Sequence, residues 1–141
     1  MKKTSGFRVV VNETKGTVRI LKYGSRTLIG HADFCFDGAQ IDVSYVRIIE
    51  RYRRTGYGVL LFDAIKVLAK QRQIVIYLCS TYKALKFYQN LGFELIINAY
   101  KAGKIRVGNI REGKSIEDVA SDTDIFWVPR QLKDKKPVIY V

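Results

Sequence analysis

The segment ERYRRTGYGVLLFDAIKVLAKQ, residues 50–71, joins a basic, glycine-containing loop to an apolar helical pattern. The apolar residues that share one helix face, at spacing i, i+4 and i+7, are Leu61, Ile65 and Leu68. This spacing predicts a helix over residues 57–71. Gly56 and Gly58 stand at its start, although glycine weakens a helix by up to about 1 kcal/mol relative to alanine. The position therefore favours a backbone that carries no side chain.

An anion is a suitable ligand for this loop. The N-terminus of a helix offers free N–H groups and roughly half a positive charge. Glycine lets a phosphate approach the backbone, and the guanidinium groups of Arg53 and Arg54 add charge with bidentate geometry. The loop contains neither the GxxxxGK[ST] pattern of a P-loop nor the third glycine of GxGxxG, since position 61 is leucine. We predict a pyrophosphate cradle at residues 53–58.

The rest of the pattern predicts strands before the helix and a strand–helix–strand order after it. The four strands expected first lie at residues 7–11, 17–23, 27–36 and 40–49, with hairpin-type joints YGSR and DGAQ. The later elements are a buried strand at 73–79, a helix at 80–92, and strands at 93–100 and 124–128. Ser80 or Thr81 can cap the second helix, and Gly92 can end it. The order indicates one α/β domain with a mixed sheet over residues 1–141.

A second motif, TYKALKFYQNLGFEL at residues 81–95, follows the buried strand. Together with Arg53, Gly56 and Gly58, it resembles the GNAT superfamily of acyl-CoA-dependent N-acyltransferases. In that family [QR]-x-x-G-x-[GA] ends a strand, and N-x-x-A-x-x-x-Y-x-x-x-G-F follows about thirty residues later. The resemblance covers roughly residues 40–97, and Thr81 departs from the family's asparagine. It implies a mostly antiparallel central sheet with two motif helices.

The resemblance also implies a cofactor site. Acetyl-CoA, as acetyl donor, would lay its pyrophosphate on the loop amides and pair its pantetheine arm with the strand before the loop. The cofactor-binding residues expected are Val46, Arg47, Ile48, Arg53, Arg54, Thr55, Gly56, Tyr57, Gly58 and Thr81. The amine would attack the thioester directly, without an acyl-enzyme.

Two residues carry the expected proton transfers. Tyr88 would protonate the departing thiolate, since a phenol with a pKa near 10 is still protonated beside a thiol with a pKa near 8.5. A lysine amine is almost wholly protonated at pH 7, so a base or a water relay must help. Asp42 stands eleven residues before Arg53, in the slot of a family glutamate, while QIVIYLC contains no carboxylate. The alternative for Asp42 is a solvent-facing residue of a hairpin strand, and that for Tyr88 is core packing.

The family's usual N-terminal helix pair is absent from the pattern. Only NETKG, residues 12–16, separates the first two predicted strands, and this is too short for a helix. Residues 100–122 form a family-atypical insert, and residues 130–141 a basic C-terminal tail. The acceptor side is therefore expected to be open or filled by the insert.

A net charge of +12 favours polyanionic or acidic partners. The basic segments are residues 1–22, 51–72, 100–114 and 130–136. The predicted function is acetyl transfer from acetyl-CoA to a primary amine of a protein or another macromolecule, with an RNA-linked amine as one candidate acceptor. The alternatives are a GNAT-fold protein that binds nucleic acid or a partner after losing catalysis, and a basic nucleic-acid-binding domain without CoA. A lysine-rich surface that serves solubility is the plainer interpretation of the charge.

Other classes have little support. Cys35, Cys79 and His31 have no metal-ligand spacing, so we expect no metal and two buried free thiols. No apolar run approaches the roughly 18 residues of a membrane span, and the start has no signal-peptide core. These features predict a cytoplasmic protein without a membrane partner, and they leave its oligomeric state open.

Overall fold

A computed structural model describes residues 6–141 of the chain. Its strands are β1 Phe7–Asn12, β2 Thr17–Lys22, β3 Leu28–Asp37, β4 Gln40–Ile48, β5 Val75–Cys79, β6 Glu94–Leu95, β7 Arg106–Val107, β8 Asp124–Trp127 and β9 Val138–Ile139. Its α-helices are α1 Tyr57–Arg72, α2 Leu85–Asn90 and α3 Ile96–Lys101. Short 3-10 helices span Glu50–Tyr52, Ile116–Asp118 and Arg130–Lys135.

The strands form a seven-stranded sheet in the order β1-β2-β3-β4-β5-β8-β6 and a two-stranded sheet of β7 and β9. The pairings of β2 with its two neighbours and both pairings of β8 are antiparallel, whereas β7 and β9 are parallel. The predicted fold class, a mixed and mostly antiparallel α/β sheet, is confirmed. A turn at residues 13–16 joins β1 to β2, and no helix lies between these two strands.

The chain divides into two compact units. The first unit contains the described residues up to Cys35 together with Val43–Leu68, and the second unit contains Phe36–Asp42 and Ala69–Val141. The strands β3 and β4 and the helix α1 contribute residues to both units. A single domain over the whole chain stays a prediction.

The first unit is an antiparallel meander with the first part of α1. Alternate residues of β2 are buried, as Val18 and Ile20 are, while Arg19 between them is exposed. On α1 the residues Leu61 and Ile65 are fully buried, and they belong to the helix face that the sequence spacing predicts. This alternation, with period two in β2 and near 3.6 in α1, gives each of these two elements one buried apolar face.

The second unit surrounds its own apolar cluster. The buried members are Val75, Ile96, Ala99, Ile105, Val107, Ile116, Ala120, Phe126, Val128 and Ile139. They include residues of β5, β7, β8 and β9, and also of α3 and the Ile116–Asp118 helix. The insert at residues 100–122 therefore supplies core residues, and the tail at residues 130–141 supplies Ile139 in β9.

The predicted strand at residues 93–100 is wrong. Only β6 is extended there, and α3 follows from Ile96. Ile96 and Ala99 lie three residues apart, and both are buried in the same cluster, which a helix allows and a strand does not. A short apolar run does not distinguish a buried strand from a buried helix, and this is the reason for the error.

Two further expectations need correction. The second helix is shorter than predicted, because residues 81–84 form a turn and α2 begins at Leu85. The free thiols of Cys35 and Cys79 belong to exposed residues and not to buried ones. Among the helices of residues 6–141, none combines the length and apolar character needed to cross a membrane.

Candidate active site

The loop that precedes α1 lies in the first unit. Arg53 is extended after the Glu50–Tyr52 helix, Arg54 has a φ of 64°, and Gly56 has a φ of 93°. A side chain at Gly56 would be strained by this left-handed backbone, although its Cβ would meet no atom within 4 Å. The glycine is thus required by the backbone, and it leaves open space at the start of a sixteen-residue helix. The first turn of α1 contains no acidic residue, so its N–H groups keep their attraction for anions.

Contacts within the first unit hold this loop. Arg53 Nε donates a hydrogen bond of 2.9 Å to the carbonyl oxygen of Ile48, and the hydroxyl of Thr55 donates to the carbonyl of Tyr52. The ring of Tyr57 meets the ring of Tyr52 edge-on, with centroids 6.0 Å apart. Two predicted cofactor-binding residues, Ile48 and Arg53, therefore contact each other. Arg53 positions the loop as well as adding charge to it.

The end of β4 carries the segment expected to pair with the pantetheine arm. Val46 and Ile48 are half-buried, and Arg47 is exposed. On β3, a Cβ at Gly30 would come within 2.5 Å of Ile48 Cδ1 and 3.0 Å of the Arg47 carbonyl oxygen. The glycine allows the two backbones to approach closely at this point. The structure places Val46–Ile48 and the loop at residues 53–58 in the same unit.

Tyr88 lies on α2 in the second unit and is only 6% exposed. Its ring meets those of Phe87 and Phe93 edge-on, with centroids 5.2 and 5.7 Å away. Burial raises the pKa of Tyr88 to about 12. The phenol is thus protonated at neutral pH, but it is a weaker acid than a free tyrosine with a pKa near 10.

Thr81 and Ala84, the residues that open the second motif, contact each other in the turn before α2. Thr81 Oγ1 accepts a hydrogen bond of 3.2 Å from the Ala84 amide, so Thr81 closes this turn and does not cap the helix itself. The Tyr88 amide in turn donates to the Ala84 carbonyl. The hydroxyl hydrogen of Thr81 can still be donated to a ligand.

Asp42 lies on β4, in the part that belongs to the second unit. Gln40 Nε2 donates a 2.7 Å hydrogen bond to Asp42 Oδ1, and the Gln40 amide group also exchanges two hydrogen bonds with the backbone of Tyr140. Burial raises the pKa of Asp42, and nearby Asp37 raises it further, while the Gln40 contact opposes both. A carboxylate with a raised pKa is a better proton acceptor than a free aspartate.

A pair of polar residues that sequence reasoning missed lies on β5 and β8. The Tyr77 hydroxyl donates a 2.5 Å hydrogen bond to Asp124 Oδ1, and the Ser121 amide donates to Oδ2 over 2.7 Å. The apolar run on β5 indeed contains no carboxylate, but the antiparallel neighbour β8 supplies one. The signal available was a tyrosine inside a buried run and an aspartate at the start of the last strand.

Residues 6–141 contain no group of three or more His, Cys, Asp or Glu side chains placed to hold a metal ion.

Comparisons with known proteins bear on the family and the fold of the chain. The family model described as the acetyltransferase (GNAT) domain matches residues 7–95. No curated protein sequence matches the chain significantly.

Three solved structures illustrate the similarity of fold. A GNAT family N-acetyltransferase from Escherichia coli, solved in complex with CoA, has a TM-score of 0.61 and 13% identity over 88% of this chain and 64% of that chain. Ard1 from Thermoplasma volcanium has a TM-score of 0.56 and 17% identity over 82% of this chain and 71% of that one. The ribosomal-protein-S18-alanine N-acetyltransferase from E. coli has a TM-score of 0.51 and 16% identity, covering 78% and 64%. The chain thus spans less than two thirds of either E. coli structure.

Proposed function

The chain belongs to the GNAT acetyltransferase domain family, and from this premise we propose that it transfers an acetyl group from acetyl-CoA to a primary amine of a protein or another macromolecule. Family membership supports acyl transfer from an acyl-CoA in general. The acetyl donor, the acceptor class and the residue roles are our proposal.

The observation that carries the proposal is the loop before α1. Gly56 leaves open space at a helix start without acidic residues, and Arg53 ties this loop to β4. The N–H groups at this helix start and the exposed Arg54 suit a pyrophosphate. The residues proposed to hold acetyl-CoA are Val46, Arg47, Ile48, Arg53, Arg54, Thr55, Gly56, Tyr57, Gly58 and Thr81.

The proposed reaction is one displacement at the thioester. The amine nitrogen attacks the carbonyl carbon, the new C–N bond forms, and the C–S bond breaks with its electron pair leaving on sulfur. Tyr88 gives its proton to this thiolate and regains one from solvent. A pKa of about 12 keeps Tyr88 protonated but makes it a weak proton donor. We therefore expect Tyr88 to raise the rate by an amount near the lower end of general-acid effects, about 10²-fold.

Asp42 is proposed as the group that receives the proton of the amine, directly or through water. Its raised pKa makes it a stronger base than an exposed aspartate, and the hydrogen bond from Gln40 fixes one of its oxygens. The remaining oxygen can accept a second hydrogen bond. Asp42 is half-buried, and this supports the role of a base over the alternative of a solvent-facing residue.

The acceptor is proposed to be macromolecular because of the charge of the chain, which repels small cationic amines. Part of the charge in residues 100–114 is neutralised locally, since Lys101 pairs with Glu117 and Lys104 pairs with Glu94. The alternative function is a GNAT-fold protein that binds nucleic acid or a partner and has lost catalysis. The raised pKa of Tyr88 favours this alternative, because it weakens the proposed acid.

Titration calorimetry with acetyl-CoA and CoA, followed by a thiol-release assay, tests the proposal. Poly-lysine, extracted proteins and aminoacyl-tRNA serve as acceptors. We expect binding of both ligands, with a rise in melting temperature at saturating ligand, and CoA release that depends on an acceptor. Binding without release for any acceptor would support the alternative, and absence of binding to acetyl-CoA and CoA would exclude the proposed acetyl transfer.

A further inference from the structure

The meander of the first unit has a second, polar face that points away from its buried residues. We call this the outer face and define it by Arg8, Arg19, Arg26, His31, Tyr45 and Arg47. Arg19 pairs with Val10 of β1 and with His31 of β3, and it alternates with the buried residues Val18 and Ile20. Arg8 pairs with Leu21, two positions from Arg19, so both arginines lie on the same side.

The C-terminal end of β4, residues 45–48, follows the same alternation. Ile48 Cδ1 lies where a Cβ of Gly30 would point, and Gly30 pairs with the buried Ile20. Ile48 therefore faces the core side, and its neighbour Arg47 faces the opposite side with Tyr45. Arg8, Arg19, Arg26, Tyr45 and Arg47 are all exposed.

Two aromatic rings lie in the middle of this face. His31 and Tyr45 have ring centroids 5.2 Å apart with planes tilted by 37°, and Tyr45 is 45% exposed. A ring supported from one side and open on the other can accept a stacked base, and such stacking accepts any base.

The second unit has a cavity of about 380 Å³ that is lined by both acidic and basic side chains. A second, smaller cavity lies on the outer face, and most of its charged side chains are basic. This smaller cavity has a volume of about 270 Å³, and Arg19, Arg26 and His31 line it together with Leu21 and Leu28. Its one carboxylate is Asp33, which lies 4.0 Å from His31 Nε2. Four arginines against one aspartate leave the outer face strongly positive.

We propose that the outer face binds single-stranded nucleic acid, with Tyr45 and His31 stacking on bases and Arg8, Arg19, Arg26 and Arg47 contacting phosphates. A surface that served solubility alone would need no aromatic pair among its arginines. An acidic protein would satisfy the arginines but would not require the open ring. A duplex would offer phosphates but keeps its bases stacked inside. The combination favours an unpaired strand.

Binding of this kind does not depend on acetyl transfer. The test therefore uses the purified chain without acetyl-CoA and measures anisotropy of a fluorescein-labelled RNA 20-mer over a series of salt concentrations. A DNA strand of the same sequence, the matched RNA duplex and labelled polyglutamate are measured in parallel.

The first variant combines Arg8→Ala, Arg19→Ala and Arg26→Ala. Each lost phosphate contact lowers the slope of log K against log salt by about 0.7 for a single strand, so the triple variant should lose about 2 from this slope. Its control removes three exposed charges of the second unit, by Arg106→Ala, Arg111→Ala and Lys114→Ala. An equal loss of slope in the control would overturn the assignment to the outer face.

The second variant tests stacking. Tyr45→Ala should weaken binding of the single strand by roughly 5- to 100-fold, whereas Tyr45→Phe should bind within about 2-fold of the natural chain because the ring is kept. Tyr23→Ala removes an exposed tyrosine in the β2–β3 turn and serves as control. Circular dichroism checks that each variant is folded.

The expected order of affinity is single strand above duplex and above polyglutamate. Duplex binding equal to single-strand binding, or Tyr45→Ala indistinguishable from the natural chain, would overturn the proposal. Preference for polyglutamate would assign the outer face to acidic proteins, and this too would overturn it. A preference between RNA and DNA identifies which strand the face recognises.

Discussion

The hydroxyl of Tyr77 on β5 donates a hydrogen bond of 2.5 Å to Oδ1 of Asp124 on β8. Asp124 is only 5% exposed, and its other oxygen accepts from the Ser121 amide. Burial raises the pKa of Tyr77, and the hydrogen bond to Asp124 and the electrostatic influence of the neighbouring Asp124, Cys79 and Asp42 raise it further. The pair thus joins two strands of the second unit and lies near Asp42, the proposed base.

Tyr77→Phe should destabilise the protein, because it removes the phenol from a buried carboxylate. The loss of a hydrogen bond to a charged group is expected to lower the free energy of unfolding by about 1.5–3 kcal/mol, measured by urea denaturation. Tyr82→Phe is the matched control, since Tyr82 donates to Asp122 Oδ1 over 2.6 Å but is 72% exposed. It should cost less than Tyr77→Phe, because water replaces an exposed hydrogen bond readily. Equal losses for both variants would contradict the importance of burial.

Stability should decrease at alkaline pH. Tyr77 and Tyr88 have raised pKa values in the folded state, so the folded state keeps protons that the unfolded state releases above about pH 10. The contribution of these two residues is therefore constant below about pH 10 and is lost as the pH rises above it. Tyr77→Phe should make the free energy of unfolding less dependent on pH between about 10 and 11. An unchanged pH dependence would show that folding does not favour the protonated form of Tyr77.

Gly58→Glu should abolish CoA binding in calorimetry, because a carboxylate at the helix start repels the pyrophosphate and occupies its place. Gly58 is a cleaner choice than Gly56, whose φ of 93° would strain any side chain. Val67→Glu adds the same charge to the same helix at an exposed position about 13 Å further along, and it should bind CoA normally. Unchanged affinity of the folded Gly58→Glu variant for CoA would show that the pyrophosphate does not bind at this loop.

Tyr88→Phe should lower kcat by about 10²-fold and leave the KM for acetyl-CoA nearly unchanged, since the ring keeps its contacts with Phe87 and Phe93. Because the pKa of Tyr88 is about 12, its ionisation should cause no fall in the rate of the natural enzyme up to about pH 10. Steady-state kinetics from neutral pH to this limit measure both effects. Full activity of the variant would mean that water protonates the thiolate.

Asp42→Asn should lower kcat and raise stability at neutral pH. Burial disfavours the charged form of Asp42, so the folded state binds its proton more tightly than the unfolded state does. The stabilisation by this substitution should therefore be complete at neutral pH and should shrink as the pH falls toward 3.8, where both states become protonated. Asp63→Asn, an exposed position on α1, is the control for charge alone. A variant with full activity would exclude Asp42 as the base.

Local patterns in the sequence were sufficient to predict much of the fold. Strand-like segments joined by hairpin-type turn residues indicated the four strands of the meander. The spacing of Leu61, Ile65 and Leu68 indicated α1, because this repeat reflects one buried face of a regular helix. The order of the two motifs also indicated the family, which the match over residues 7–95 confirms. The sequence explained Gly56 by the approach of an anion to the backbone at a helix start, and this anion site stays a prediction. The left-handed φ of 93° at Gly56 is a second reason for glycine, which only the structure gave.

Tertiary structure decided what depends on contacts between distant residues. Residues 93–100 could be a strand or a helix by pattern, and burial of Ile96 and Ala99 in one cluster selected the helix. Tyr77 and Asp124 lie 47 residues apart, and Gln40 and Tyr140 lie 100 apart, so no local spacing relates them. The raised pKa values of Tyr88 and Asp42 likewise come from burial, which depends on the packed core around each group. A sequence pattern shows which face of an element is buried. The packing of elements against each other decides which polar groups are buried side by side.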